Sequence, residues 1–183
     1  MSNPVRKKRY WQTRELIVIG TFAALTKVAS LLIAIAGGGM NPVSLVLKNI
    51  VATSLLIVLV YKVRKFGVLT LYALINSLVS LLFLGGNVMA LPGMLIAGIV
   101  GDGFIMMTGG YKRAWALVLG VGLFDLLSRA ISLGYSYLTV REEPRLLIMA
   151  AIIVAIGYTG CLLGLGSGLL FVKELRHAGI VRE

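Results

Sequence analysis

Residues 16–36 read LIVIGTFAALTKVASLLIAIA, twenty-one residues with a single charge, Lys27. The hydrocarbon core of a bilayer is crossed by about 20 helical residues, so this run is long enough to span it. Arg6-Lys7-Lys8-Arg9 precedes it, and Ala34-Ile35-Ala36 imitates a cleavage site, as in a secretory leader. A leader's apolar core is about 7–15 residues long. This run exceeds that, and we read it as a retained first span.

Five more apolar runs follow, at 43–61, 66–84, 91–108, 114–138 and 146–172. The breaks carry turn residues or charge: Gly37-Gly38-Gly39 with Asn41-Pro42, Lys62 to Lys65, Gly85-Gly86-Asn87 with Pro92, Gly109-Gly110 with Lys112-Arg113, and Arg141 to Arg145 with Pro144. Continuous runs are unlike the alternating strands of a membrane β-barrel. The expectation is an all-α polytopic membrane protein, a bundle of six transmembrane helices. Residues 1–183 form a single integral membrane domain, with a basic cytoplasmic tail at 1–15, six spans at 16–172 and a second cytoplasmic tail at 173–183. No internal repeat is evident, and no extramembrane stretch is long enough for a soluble module.

Composition agrees with a lipid solvent: 58% of the 183 residues are hydrophobic and only 14% charged, against about 25% charged in soluble domains. Eighteen Lys and Arg face seven Asp and Glu. The basic residues edge the apolar runs, which is the pattern of topology anchors and not of a nucleic-acid surface. With the N-terminus inside, thirteen basic residues lie in cytoplasmic segments, against Arg141 and Arg145 on the other side, which Glu142 and Glu143 neutralise. This positive-inside bias predicts a cell-membrane protein with both termini cytoplasmic. Cys161 and His177 are each the only residue of their type. No cysteine or histidine metal site is expected from one chain, and no cofactor.

Charge inside lipid costs about 2.5–3.5 kcal/mol per residue on insertion scales, so Lys27, Lys48, Asp102, Asp125 and Arg129 call for partners or water. Asp125 and Arg129 share a helix face at i,i+4. Either they are a self-neutralising pair that lets the helix insert, or Arg129 turns into an outward-facing cavity and binds a polar substrate. Lys48, beside Asn49, either snorkels to the outer headgroups or lines that cavity. Asn41 and Asn87 either approach a ligand from the outer loops or cap the following helices. Asp102, within Gly101-Asp102-Gly103, is expected in a salt bridge near the inner surface. Small residues at four-residue spacing permit close helix contact. Gly93-Ala97-Gly101 and Gly160-Gly164-Gly168 are expected to pack within the chain. Gly20-Ala24 is open to internal packing or to a partner protein. No Gly-x-Ser-x-Gly, His-Glu-x-x-His or Walker sequence is present. Asp102 and Asp125 alone do not supply the acid cluster of a membrane alcohol-phosphatidyltransferase.

The length, the six spans and the basic N-terminus come with a first helix reading Arg14-Glu15-Leu16-Ile17-Val18-Ile19-Gly20-Thr21-Phe22-Ala23-Ala24-Leu25. Further along stand Lys62-Val63-Arg64-Lys65-Phe66-Gly67, Gly98 through Asp102, Gly109-Gly110-Tyr111-Lys112, and the tail His177-Ala178-Gly179-Ile180. In these features the chain resembles a substrate-binding S component of an energy-coupling factor (ECF) transporter, most closely the MptE/Trep-Strep type. The resemblance implies capture of a vitamin or similar micronutrient from outside, for uptake driven by two cytosolic ATPases through a membrane coupling protein. It implies that the S component topples in the lipid to release its cargo, and that this chain is not an enzyme. It implies docking on the coupling protein through Gly20, Ala23 and Ala24. It places Asn87, Arg129, Tyr135 and Tyr137 near the ligand, with Asn41, Lys48 and Asn76 as further candidates. Arg129 and Lys48 favour an anionic or carboxylate-bearing ligand. The rival expectations are a small membrane enzyme of lipid or isoprenoid metabolism, a stand-alone carrier or channel, and an assembly subunit without a transport role.

Overall fold

The computed structural model describes residues 10–38, 41–84, 90–139 and 144–177. It contains α1 (Thr13–Ala36), α2 (Pro42–Lys62), α3 (Val68–Leu84), α4 (Ala90–Met107), α5 (Ala114–Thr139) and α6 (Pro144–His177), and no strand among the described residues. The protein is a polytopic helical membrane bundle. Four segments, Thr13–Ala36, Pro42–Lys62, Ala114–Tyr135 and Ile148–Leu175, have the length and apolarity to cross a bilayer unaided. The apolar segments Val68–Leu82 and Leu91–Met107 are shorter. The full helices α3 and α4, of 17 and 18 residues, reach about 26 Å at 1.5 Å per residue.

Helix contacts close a ring in the order α1, α2, α6, α5, α4, α3 and back to α1, with α2 also touching α5. The most extensive seam is α2 on α6. There, a Cβ added at Gly160 would stand 2.7 Å from the Val46 carbonyl oxygen, and one at Gly164 2.8 Å from that of Ile50. The Gly160-Gly164-Gly168 ridge thus packs inside the chain, as its spacing predicts. On α4, Gly98 lies against the Thr70 backbone, while Gly101 approaches Leu69, Phe124 and Gly120. The outward faces carry apolar side chains such as Leu32, Ile35, Leu82, Met107 and Leu170, all strongly exposed, as lipid contact requires.

The dry core occupies one end of the ring. Ile19, Ile57, Leu59, Val60, Val68, Leu69, Ile105, Leu117 and Val121 are fully buried. All come from the halves of the helices nearest the chain termini. Asp102 belongs to this end, and its role corrects the expected salt bridge: among the described residues it pairs with no base. Its carboxylate accepts the Leu69 N–H at 3.1 Å, the Thr70 N–H at 2.9 Å and the Thr70 hydroxyl at 2.7 Å. The counter-charge is the positive end of the α3 dipole, whose first-turn N–H groups lack carbonyl partners within the helix. Gly67, at φ 91°, turns the chain into α3 just ahead of this contact. The Tyr111 hydroxyl also donates to Asp102. Burial first, and the adjoining carboxylate second, raise the Tyr111 phenol above its ordinary pKa.

The same end is tied to the start of α1. Glu15 accepts the Gln12 N–H at 2.9 Å and pairs with Lys65 at 2.7 Å. Lys65 also donates to the Tyr10 carbonyl at 2.9 Å.

Candidate functional site

At the opposite end the ring is hollow. A cavity of about 380 Å³ is lined from all six helices. α5 contributes most. Asp125, Ser128, Arg129, Ser132 and Tyr135 all line the cavity. The first four stand at i, i+3, i+4 and i+7, one face of a helix. Thr26, Lys27 and Ser30 of α1 and Asn49 and Thr53 of α2 supply further polar wall, and Asn76 enters from α3. Leu56, Met94, Phe124 and Ile131 supply apolar wall. Gly93 lets α4 close on α5, since a Cβ there would lie 2.6 Å from Ile131.

The polar centre is a three-residue cluster. Arg129 Nε donates to Asp125 at 2.6 Å and its Nη2 to the other carboxylate oxygen at 3.2 Å. Nη2 also donates to Asn49 Oδ1, whose amide nitrogen donates to the Leu45 carbonyl at 2.8 Å. Gly157 of α6 makes room for the guanidinium: a Cβ there would collide with Arg129 Nη1. Asp125–Arg129 is therefore both a self-neutralising pair and part of a cavity wall.

Of the residues singled out by sequence, the cavity gathers Asn76, Arg129 and Tyr135. Asn41 does not line it; its side chain accepts the Ser44 N–H at 2.7 Å and donates to the Gly37 carbonyl at 2.6 Å, capping α2. Lys48 is half-buried outside the lining, and Tyr137 is half exposed on the outer surface. Asn87 lies outside the described residues. Ala23 is fully buried in the core and offers no surface for docking, whereas a Cβ added at Gly20 would meet open space and Ala24 is exposed. Sequence reasoning did not assign Lys27, Asn49 or Gly157 to the site. The polar stripe on α5 was the available signal.

A helical ring with apolar outward faces, a polar cavity toward one end and a dry core at the other is the architecture of an integral membrane protein. The chain belongs to the Trep_Strep family, described as hypothetical bacterial integral membrane proteins, which matches residues 13–139. No curated protein and no solved structure matches the chain.

Proposed function

We propose that this chain is the substrate-binding S component of an ECF-type importer, capturing a vitamin or related micronutrient outside the cell. The carrying observation is the 380 Å³ cavity built by all six helices at the end of the bundle remote from the termini. The charge bias of the loops orients that end outward, so the cavity receives ligand from the exterior while the packed core seals the cytoplasmic side. The volume suits a compact molecule, near the lower end of the roughly 300–1,000 Å³ usual for ligand sites. The chain performs no catalysis in this reading. Asp102 is engaged by the α3 N-terminus and Asp125 by Arg129, which removes support from an acid-cluster membrane enzyme. Energy comes from two cytosolic ATPases acting through a membrane coupling protein. The outward small residues of α1, Gly20 and Ala24, are the proposed docking point.

The test is affinity purification of the tagged chain from its native membrane. The expected result is recovery of a coupling protein and two ATPases, with association lost in Gly20→Leu/Ala24→Leu. Purification without any ATPase, from membranes that contain an ECF module, overturns the reading.

A further inference from the structure

The Asp125–Arg129 pair cancels its own charge, so the excess positive charge of the cavity wall is Lys27. Lys27 lies nine residues before the end of α1, half-buried. Among the described residues no acid pairs with it. Its charged neighbour is Lys48 of α2, a second cation, which repels it. An ammonium group at this depth is costly, and a like charge nearby adds to the cost. An anion in the cavity offsets both.

A second defect lies in the same wall. Asn76 is 6% exposed, and its Oδ1 is buried with no hydrogen bond among the described residues. A buried acceptor left unpaired costs about 1–3 kcal/mol. Rotation of the carboxamide turns either its oxygen or its NH2 to the cavity. A cation without an acid and a carboxamide with one polar atom unsatisfied, both among the described residues lining one hollow, are what a ligand with an anionic group and a donor group would satisfy once the carboxamide turns its oxygen to the cavity.

We propose that the cavity takes a compact organic anion, its carboxylate paired with Lys27 and a ligand hydroxyl or amine donating to Asn76. The proposal rests on the capture reading for the ligand's route, and on the cavity alone for its chemistry. It reassigns the anion-binding role that the sequence gave to Arg129 and Lys48. Arg129 is already held by Asp125 and Asn49, and Lys48 lies outside the lining. Arg129 instead fixes the wall against which the ligand rests.

The probe is benzoate against benzamide, equal in shape and different in charge, titrated onto the full chain in nanodiscs and read by ligand NMR. Benzoate is expected to bind at least about tenfold more tightly than benzamide, the lower bound for a hydrogen bond to a charged group. Lys27→Gln is expected to abolish that preference and Lys27→Arg to keep it. The better of 3- and 4-hydroxybenzoate should bind several-fold more tightly than benzoate, and Asn76→Leu should remove that gain. Absence of benzoate binding at tens of millimolar, equal binding of the two probes, or a folded Lys27→Gln that keeps the preference overturns the assignment to Lys27. Hydroxybenzoates no tighter than benzoate overturn the assignment to Asn76. If Lys27→Gln does not fold, the wild-type ratio and Lys27→Arg decide. Charge selectivity without any co-purifying ATPase would sink the importer reading and leave the ligand class standing; ATPase association without charge selectivity would do the reverse.

Discussion

Arg129 of α5 donates to Asn49 of α2, joining two helices through the wall of the cavity while Asp125 holds the same guanidinium from its own helix. The two carboxylate contacts and the amide contact hold the guanidinium in one place, so this part of the wall is tied together by the protein's own groups.

Arg129→Met would leave Asp125 with an uncompensated charge in the membrane interior. Removing one member of a buried pair costs about 3–5 kcal/mol, whereas replacing both by apolar groups is often neutral. Because the side chains of Arg129 and Asp125 keep 16% and 20% of their surface exposed, the lower end of that range is expected. Asp125→Leu/Arg129→Met should recover most of the loss. Reversible unfolding in bicelles measures both. A single variant as stable as the double would show that the pair contributes nothing to the fold.

At the other end, Asp102→Ala strips the Leu69 and Thr70 N–H groups of their acceptor, and a loss of about 2–4 kcal/mol is expected from two orphaned donors. Tyr111→Phe removes one hydrogen bond to a carboxylate and should cost about 1.5–3 kcal/mol. Tyr111 also carries a pH signature. Its phenol is raised in the folded chain, so the stability it contributes is complete below the ordinary tyrosine pKa of about 10. That contribution falls as pH rises beyond this, because the unfolded chain then releases the proton and the folded chain does not. Unfolding between pH 9 and 11 should be less steep in pH for Tyr111→Phe than for the parent chain. Identical slopes would remove Tyr111 from the account.

Glycines of α6 divide by what they face. Gly164→Ala drives a methyl group toward the Ile50 carbonyl and Thr53 Cβ, each 2.8 Å from the new atom. Backbone cannot yield as a side chain does, and a loss of about 1–3 kcal/mol is expected from overpacking. Gly166→Ala meets nothing within 4 Å and should be neutral or gain up to about 1 kcal/mol from helix propensity. Equal effects in the two variants would mean that the α2–α6 seam is looser than its geometry.

These seams explain what the sequence disclosed and what it withheld. Helix limits were legible because apolar runs end at glycine, proline or charge; the run at 43–61 became Pro42–Lys62. Arg129 was legible as a charge in lipid that needs a polar setting, and Asn76 entered through the family resemblance. Lys48 and Asn49, by contrast, are adjacent and point about 100° apart on a helix, so depth alone cannot choose between them. The choice is made by Gly160 and Gly164, which take Val46, Ile50 and Thr53 against α6. That fixes the rotation of α2 and turns Asn49 to Arg129. Asp102 was misread for a related reason: its partner is a helix terminus, a charge no residue letter carries.

Orientation is the step on which outward capture depends, and two exposed positions test it. Val43 lies in the first turn of α2, at the cavity end; Phe66 lies in the turn before α3, at the core end. Both are exposed, at 68% and 44%. In a Cys161→Ser background, Val43→Cys should react with a membrane-impermeant maleimide on intact cells, and Phe66→Cys only after permeabilisation. The free cysteine is buried, and serine, close to it in size, clears the background at that position. The reverse labelling would place the cavity mouth in the cytoplasm and the dry core outside. A chain so oriented turns this cavity away from an external ligand, and Lys27 could then meet only anions already within the cell.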